Sequence, residues 1–308
     1  MEGELPDRMP ARGQVCAVWV TYHPDGDVAA RVRRVVPQVG ATVLVDNGSS
    51  DAELGALRDL ALGASVTLVR NSENLGIARA LNIGVERARA QGYPFALLLD
   101  QDTLADEDMV DQLSAALAAH PNAGRVAAVG SRFRDPTGRS NEPIRLGPRS
   151  DQWEEVESVI TSGCLLSVRA YASVGPFRDD FFIDHVDTEY CLRAWAAGYR
   201  VIETLRPLMS HTVGSPTSHT VFGSPTWTTN HSPDRRYYIA RNNTVLLREY
   251  GKPGRGPWVW KSLVRCLRLC RRIAFFERDK SSKIFAVWQG WSDAVRGRMG
   301  PRRPRAMS

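Results

Sequence analysis

The sequence predicts an α/β fold with a mainly parallel central sheet and a helical C-terminal tail. Short apolar segments alternate with helix-forming segments over roughly the first hundred residues, the order typical of a parallel sheet covered by helices. Polar clusters follow several of the apolar segments. Beyond residue 250, apolar residues recur at helical spacing among Lys and Arg.

The elements follow one another in a regular order in the first part of the chain. The apolar segments predict strands over 15–21, 41–45, 66–69 and 95–99. The segments between them predict helices over 27–38, 51–62 and 77–91.

The rest of the chain predicts further helices over 106–120, 187–198, 235–250 and, in the tail, 258–296. Strands are expected over 125–130 and 156–167, and loops over 136–152 and 210–233. The second loop is long enough to act as a lid over a ligand. His120 is expected at the surface.

Composition and charge indicate a globular body with a basic tail. The 308 residues are 43% apolar and 24% charged, which excludes wholesale disorder. Residues 251–308 carry 15 Lys and Arg against 3 Asp and Glu, whereas residues 1–250 carry 25 against 31. We therefore expect a domain over 1–250 and a basic amphipathic tail over 251–308 that meets an anionic partner such as a phospholipid surface.

Two other interpretations of the tail stay open: a helix packed on its own domain, or contact with a second subunit in a homo-oligomer. Nucleic-acid binding is not expected, because no binding motif accompanies the charge. Five scattered cysteines favour free thiols, and residues 1–12 lack the apolar core of a signal peptide. No apolar run approaches the ~20 residues of a membrane span, so we expect a cytoplasmic protein, peripheral at the inner face of the cell membrane if the tail binds lipid.

Three polar clusters follow predicted strands: Thr21-Tyr22, Asp46-Asn47-Gly48-Ser49 and Asp100-Gln101-Asp102. Ligands of open parallel sheets bind beyond the carboxyl ends of the strands, so these clusters are expected to share one site. Two carboxylates at a strand end suit Mg²⁺ or Mn²⁺ bound to a diphosphate. The alternative is a solvated turn that caps the helix near Asp106.

The motifs together resemble those of family 2 glycosyltransferases. Besides the three clusters, the segment 71–82 reads Asn-x-x-Asn-Leu-Gly-x-x-Arg-Ala-x-Asn. Phe182-Ile-Asp-His-Val-Asp187-x-Glu189 and Arg236-Tyr-Tyr-x-x-Arg241-Asn242 are similar to the bacterial rhamnosyltransferase branch. The resemblance covers residues 15–250 and implies a GT-A (Rossmann-like) fold, with a nucleotide-binding half over 15–102 and an acceptor half over 103–250.

The resemblance also implies the activity: metal-dependent, inverting transfer of L-rhamnose from dTDP-L-rhamnose to a cell-surface glycan or lipid-linked acceptor. It assigns the metal to Asp102, Asp100 and His211. It assigns donor binding to Thr21, Tyr22, Asp46, Asn74, Arg79, Asp100, Gly163, Arg236 and Arg241. The residues alone leave purely structural roles open, since Asp46 also suits an Asx turn and Arg79 a solvated helix face.

Inversion requires a base that deprotonates the acceptor hydroxyl. Asp184 is the preferred candidate, and Asp187 and His185 compete with it, since His185 stands where many relatives carry the usual acid. Two functional alternatives stay open: another nucleotide-sugar such as a UDP-hexose, and a non-catalytic membrane-associated protein that binds nucleotide or glycan. A nucleotidylyltransferase is disfavoured, because residues 18–27 hold one glycine and no phosphate loop.

Overall fold

A computed structural model describes residues 9–135, 144–211, 217–221, 224–251 and 256–302. The chain divides into two compact units. The first consists of Met1–Arg178 and Asp187–His211, and the second of Asp179–Val186 and Thr212–Ser308. The division differs from the predicted boundary near Tyr250, because the helix before that residue groups with the tail.

The first unit begins with the predicted strand–helix alternation. The strands are β1 (Val15–Thr21), β2 (Ala41–Asp46), β3 (Val66–Arg70) and β4 (Phe95–Asp100). The helices between them are α1 (Val28–Val35), α2 (Gly55–Leu60) and α3 (Ile77–Ala90). The strands are parallel and lie in the order β3-β2-β1-β4, which confirms the predicted α/β fold. The side chains of β1 are buried along its whole length, and Trp19 is among the largest of them.

The sheet then continues as a mixed sheet. Its further elements are β5 (Leu104–Ala105), α4 (Met109–Ala118), β6 (Val126–Arg134), β7 (Arg145–Arg149), β8 (Trp153–Val156), β9 (Cys164–Ser167), α5 (Val168–Val174), α6 (Val186–Ala196) and β10 (Arg200–Ser210). Strand β9 runs antiparallel between β4 and β6, and β10 lies parallel to β6. The order is completed by β8 and β7, while β5 pairs with the end of β10.

Several predictions in this region are wrong. The strand expected over 156–167 is two strands, β8 and β9, with a loop between them. Strand β7 lies within the loop expected over 136–152, of which residues 136–143 are outside the described part of the chain. Strand β10 was not predicted, because Arg206-Pro207 interrupts its apolar pattern and the ladder to β6 shifts register there. His120 is buried rather than at the surface: its ring lies against Trp153, and Nε2 is 3.1 Å from Oε1 of Glu155.

In its described part, the second unit combines a hairpin with three α-helices. Its elements are β11 (Thr217–Val221), β12 (Ser224–Thr228), α7 (Pro233–Tyr250), α8 (Gly256–Phe276) and α9 (Lys280–Val295). The hairpin corrects the loop predicted over 210–233, of which residues 212–216 and 222–223 lie outside the described residues. The predicted helical tail is two helices, with Asp279 at φ 54° between them.

Helix α9 packs on α7 through small residues. Ala286, Gly290 and Ala294 are buried, and a Cβ at Gly290 would lie 2.4 Å from the carbonyl oxygen of Tyr237. Glu277, between α8 and α9, forms buried ion pairs with Arg236 of α7 and with Lys283, the latter at 3.0 Å. One face of the tail therefore packs on its own unit, and the anionic partner predicted above stays a prediction. None of the helices within the described residues is long and apolar enough to cross a membrane.

Candidate active site

The polar clusters lie side by side at one edge of the first unit's sheet. Strand β1 lies between β2 and β4, with Thr21 paired to Asp46 and Val20 paired to Asp100. The three clusters therefore end neighbouring parallel strands, as the sequence predicts. Gln101 links two of them, because its Oε1 accepts a hydrogen bond from the backbone N–H of Tyr22 at 2.7 Å.

Asp46 is fully buried and organises the turn after β2. Its carboxylate accepts hydrogen bonds from Thr21 Oγ1 at 3.1 Å and Ser49 Oγ at 2.6 Å. It also accepts from the backbone N–H groups of Gly48 and Ser49, at 3.1 and 2.8 Å. Four donors occupy the acceptor capacity of one carboxylate. The Asx turn weighed above is thus formed, whereas contact between Asp46 and a nucleobase stays a prediction.

A network of amide side chains joins this turn to the loop after β3. Asn47 Oδ1 accepts from Asn71 Nδ2 and from the backbone N–H of Leu75, both at 3.1 Å, and Asn47 Nδ2 donates to Asn74 Oδ1 at 2.9 Å. Gly48 has φ 99°, and a Cβ there would lie 2.7 Å from the backbone of Glu73. Asn74 is therefore tied to the turn as a structural residue, and Arg79 is exposed two residues into α3.

Asp100, Asp102 and His211 form a cluster at the end of β4. One ligand atom from each lies within 4.8 Å of the others. The His211 ring is 5.7 Å from that of Phe133 in an edge-on arrangement, and the backbone N–H of His211 donates to the carbonyl oxygen of Arg134. The end of β10 thus brings a histidine from residue 211 to carboxylates at residues 100 and 102, as the resemblance implies.

The cluster fits a divalent cation. Nδ1 of His211 is buried and lies 3.3 Å from Oδ1 of Asp102, and it makes no well-formed hydrogen bond within the described residues. Burial lowers the pKa of His211, but the close contact with Asp102 and the negative charges of Asp102, Asp100 and Asp135 outweigh the effect of burial, so the pKa is raised. A buried ring nitrogen beside two carboxylates is a donor set suited to Mg²⁺ or Mn²⁺.

Ser162 and Gly163 lie against this strand end. Ser162 Oγ contacts Thr103 Oγ1 and lies 3.4 Å from the backbone nitrogen of Asp100. Gly163 has φ 72°, and a Cβ there would lie 2.6 Å from Sδ of Met209 and 2.8 Å from Cε of Met109. Gly163, which the resemblance assigns to donor binding, thus packs against two methionine side chains on the side where a Cβ would lie. Burial raises the pKa of Cys164 to about 12, which agrees with a packing role.

The acids of α6 have separate roles. Glu189 is buried in a bidentate pair with Arg193, at 2.9 and 3.0 Å, and Arg193 also donates to the carbonyl oxygens of Val174 and Pro176. Glu189 is therefore structural. Oδ1 of Asp187 accepts from the backbone N–H of Thr188 at 2.6 Å and from its hydroxyl at 3.2 Å. Asp187 lies in the first unit, whereas Asp184 and His185 belong to the second.

Asp184 lies in a strained loop of the second unit. Phe182, Asp184 and His185 have φ values of 64°, 63° and 62°, which cost energy in residues other than glycine and cluster at functional sites. The Asp184 carboxylate is 13% exposed and pairs with Arg235 through both of its oxygens, at 2.9 and 3.3 Å. The sequence reasoning missed Arg235, and its only signal there was its place beside Arg236.

Two consecutive side chains of α7 hold this loop. Asn242 Nδ2 donates to the carbonyl oxygens of Phe181, Ile183 and Asp184 at 3.0, 2.9 and 2.8 Å. Arg241 Nη2 donates to the carbonyl oxygens of Asp180 and Phe181, both at 2.9 Å, and its Nε donates to Asn242 Oδ1 at 2.9 Å. Both side chains are fully buried. We call the pair the loop clamp.

Both arginines expected near the donor are thus engaged within the second unit. Arg241 belongs to the loop clamp, and Arg236 is 2% exposed and bound to Glu277. Their assignment to the donor nucleotide stays a prediction that these contacts do not favour. His231, close to them, has its pKa lowered to about 4 by burial and by the charge of Arg235, against the opposing charge of Asp184.

The fold and the site together indicate the class of protein. The sheet is of the GT-A type, and two carboxylates and a histidine lie at the ends of its strands. Residues 29–173 match the domain described as Glycosyl transferase family 2. The chain is a glycosyltransferase, and its residues 29–173 are similar to this family. It is 29% identical over 252 residues to "dTDP-rhamnosyl transferase RfbF" of Shigella flexneri, an alignment that covers 78% of this chain and 81% of that protein.

Solved structures with low sequence identity share the fold. GalNAc-T7 with UDP, GalNAc and Mn²⁺ superposes with TM-score 0.57 at 14% identity, over 77% of this chain and 48% of that one, so this chain spans about half of its length. Mannosyltransferase PcManGT from Pyrobaculum calidifontis, with GDP-Man and Mn²⁺, has TM-score 0.54 at 16% identity over 93% and 75%. S. aureus TarS 1-349 with UDP-GlcNAc has TM-score 0.52 at 12% identity over 92% of each chain.

Proposed function

We propose that this glycosyltransferase moves L-rhamnose from dTDP-L-rhamnose, with inversion, to a cell-surface glycan or lipid-linked acceptor. The observation that carries the proposal is the Asp100–Asp102–His211 cluster at the carboxyl ends of parallel strands. A nucleoside-diphosphate donor needs its charge neutralised there. The choice of sugar is supported by the relative described as a dTDP-rhamnosyl transferase.

Asp102, Asp100 and His211 are the residues that would hold Mg²⁺ or Mn²⁺. Solved relatives with the same fold contain Mn²⁺, and the paired carboxylates and the ring nitrogen fit such an ion. When bound, the cation supplies charge stabilisation to the diphosphate leaving group. Asp102 is 48% exposed on its side chain, so it is accessible to an ion that arrives with the donor.

The remaining donor contacts are assigned to the strand-end turns. Tyr22 is 43% exposed and lies beside Thr21, so its ring is available to a nucleobase or ribose. Arg79 is exposed at the first turns of α3, where a guanidinium can meet phosphate oxygens. Asn74 and Asp46 act by fixing the turns that surround these two side chains.

Asp184 is the proposed base, and His185 and Asp187 are its competitors. Arg235 fixes the direction of the Asp184 carboxylate through two contacts, and the loop clamp fixes its backbone. A carboxylate positioned in this way can accept the hydroxyl proton of the acceptor as that oxygen attacks the sugar carbon. The proposed setting is the cytoplasmic face of the membrane, where lipid-linked acceptors are held.

Purified protein tests the donor and the metal together. dTDP-L-rhamnose, UDP-glucose, UDP-galactose and GDP-mannose are compared with Mg²⁺, Mn²⁺ or chelator, and release of nucleoside diphosphate is measured. We expect turnover of dTDP-L-rhamnose only with a divalent metal. Consumption of a UDP-hexose in place of dTDP-L-rhamnose would reject the sugar assignment, and undiminished turnover in chelator would reject the metal.

The base is identified by three variants assayed in parallel: Asp184→Asn, His185→Ala and Asp187→Asn. We expect Asp184→Asn to lower kcat by about 10²-fold or more, the scale of general base catalysis. A dead Asp187→Asn or His185→Ala enzyme beside a near-normal Asp184→Asn enzyme moves the role to that residue.

A further inference from the structure

Helix α9 has two apolar faces. One consists of the small residues that pack on α7, described above. The other is exposed: Ile284, Trp288, Trp291 and Val295 are 49%, 55%, 37% and 74% exposed, and Phe285 beside them is 41% exposed. We call these five residues the outer stripe of α9.

The outer stripe is continuous along the helix. Residues 284, 288, 291 and 295 are separated by four, three and four positions, the spacing that keeps side chains on one face. The Phe285 ring lies 5.9 Å from the Trp288 ring, which widens the stripe. Single exposed apolar residues are ordinary on proteins, whereas a contiguous set containing two tryptophans marks an interaction surface.

The charges around the outer stripe are basic. Lys280 precedes it and Arg296 follows it, both exposed, and Arg278 and Arg298 are exposed just beyond them. The neighbouring helix α8 repeats the pattern, with Leu267 and Phe275 71% and 69% exposed among the exposed Arg268 and Arg271.

Of the three acids over residues 251–308, Asp279 is exposed, whereas Glu277 and Asp293 are turned inward. Glu277 is buried between Arg236 and Lys283. Asp293 accepts a hydrogen bond from the Tyr237 hydroxyl at 2.9 Å. The outward charge is therefore positive, in keeping with 15 basic against 3 acidic residues over 251–308.

We propose that the outer stripe of α9 is a membrane-docking surface, which lies in the interface of a bilayer that contains anionic phospholipid. Tryptophan and phenylalanine are suited to the headgroup level, and bordering Lys and Arg are suited to anionic headgroups. The helix has 16 residues and basic residues at both ends, so it lies along the surface instead of crossing it.

A second copy of the chain is the less suitable occupant. A two-fold contact through the outer stripe would bring two basic faces together, and like charges in contact oppose association. An anionic lipid surface removes this repulsion and adds attraction. The inference concerns the lipid surface and does not depend on which nucleotide-sugar is the donor.

Sedimentation of the full-length protein with vesicles tests the inference. The vesicles are phosphatidylcholine alone, or phosphatidylcholine mixed with phosphatidylglycerol. We expect binding to the mixed vesicles, weakened by salt because the attraction is screened. The double variant Trp288→Ser/Trp291→Ser should bind at least about tenfold more weakly, and Lys280→Gln or Arg296→Gln about fivefold more weakly for each lost charge.

Leu62→Ser is the matched control, since Leu62 is an 86% exposed apolar residue of the first unit. Its vesicle binding should equal that of the wild type, and circular dichroism checks the fold of every variant. Unaltered binding by the tryptophan double variant, equal binding to neutral vesicles, or a wild-type dimer that the double variant converts to monomer overturns the inference.

Discussion

Replacing Asn242 by alanine removes the amide half of the loop clamp, whereas Arg241 keeps its hydrogen bonds to the carbonyl oxygens of Asp180 and Phe181. The two N–H hydrogens of the Asn242 amide are shared among three carbonyl oxygens. The amide oxygen accepts one further hydrogen bond, from Arg241 Nε. About three buried hydrogen bonds are lost, each worth ~1 kcal/mol net and more where a buried group stays unsatisfied. We expect the free energy of unfolding to fall by about 3 kcal/mol, measured by urea denaturation.

The same change should affect turnover more than donor binding. Without the Asn242 amide, Asp184 and its neighbour Ile183 lose hydrogen bonds that hold a loop with three left-handed residues. A displacement of about 1 Å in a catalytic group can cost about 10²-fold in rate. We therefore expect kcat to fall at least about tenfold while KM for the donor changes less than about twofold, under conditions where the variant remains folded.

Asn243→Ala is the matched control. Asn243 is the next residue of the same helix, is 5% exposed and donates to Sγ of Cys266 at 3.1 Å, without touching the loop. It should lose about 1 kcal/mol of stability and keep its kcat. Equal losses of kcat in the two variants, or an unchanged kcat in Asn242→Ala, would refute the positioning argument.

Three further predictions follow from the charges. Asp102→Asn should raise the Mn²⁺ concentration needed for half-maximal turnover at least about tenfold, with Asp111→Asn as the surface control; an unchanged metal titration contradicts this. Glu277→Gln leaves Arg236 and Lys283 buried without their carboxylate, so unfolding in urea should show a loss of about 3–5 kcal/mol, and a loss below about 1 kcal/mol would contradict it. The pKa of His231 is lowered to about 4, so the folded state disfavours its protonation: the stabilisation is complete above pH ~6.5 and is lost as the pH falls toward 4, by up to about 3 kcal/mol. His231→Gln should flatten this part of the stability–pH curve.

The sequence predicted the nucleotide-binding part of the sheet because local signals there agree. Strand β4 is one uninterrupted apolar run, and its end is marked by Asp100-Gln101-Asp102. The neighbouring strands end in turn residues such as Asn47-Gly48, where backbone geometry demands glycine. In parallel strands these ends meet at one edge, so position in the chain was enough to bring Asp100 and Asp102 beside the turns after β1 and β2, whereas His211 was assigned from the resemblance.

The second half was harder because its contacts are distant in sequence and its residues have more than one use. Strand β10 contains Pro207, so its apolar pattern resembles a loop. His120 looks like a solvated helix end, yet it is satisfied by Glu155, 35 residues away. Arg236 lies in a motif that the resemblance assigns to donor binding, yet its side chain is bound to Glu277, which lies 41 residues further on. Pairs of residues this far apart in the chain produce no periodic pattern, so the sequence does not indicate them.

Helix α7 packs with the tail in one unit, although the sequence predicted a domain boundary between them. Arg236 of α7 is bound to Glu277, which follows α8. Arg241 donates a hydrogen bond to the carbonyl oxygen of Gly300. The backbone N–H of Gly300 in turn donates to the carbonyl oxygen of Asp180. The clamped loop is therefore held by the tail as well as by α7. A basic tail that served only to attract lipid would not need a buried ion pair and backbone bonds to the segment of Asp184. The segment that follows α9 and its outer stripe thus also contributes to the support of the proposed base.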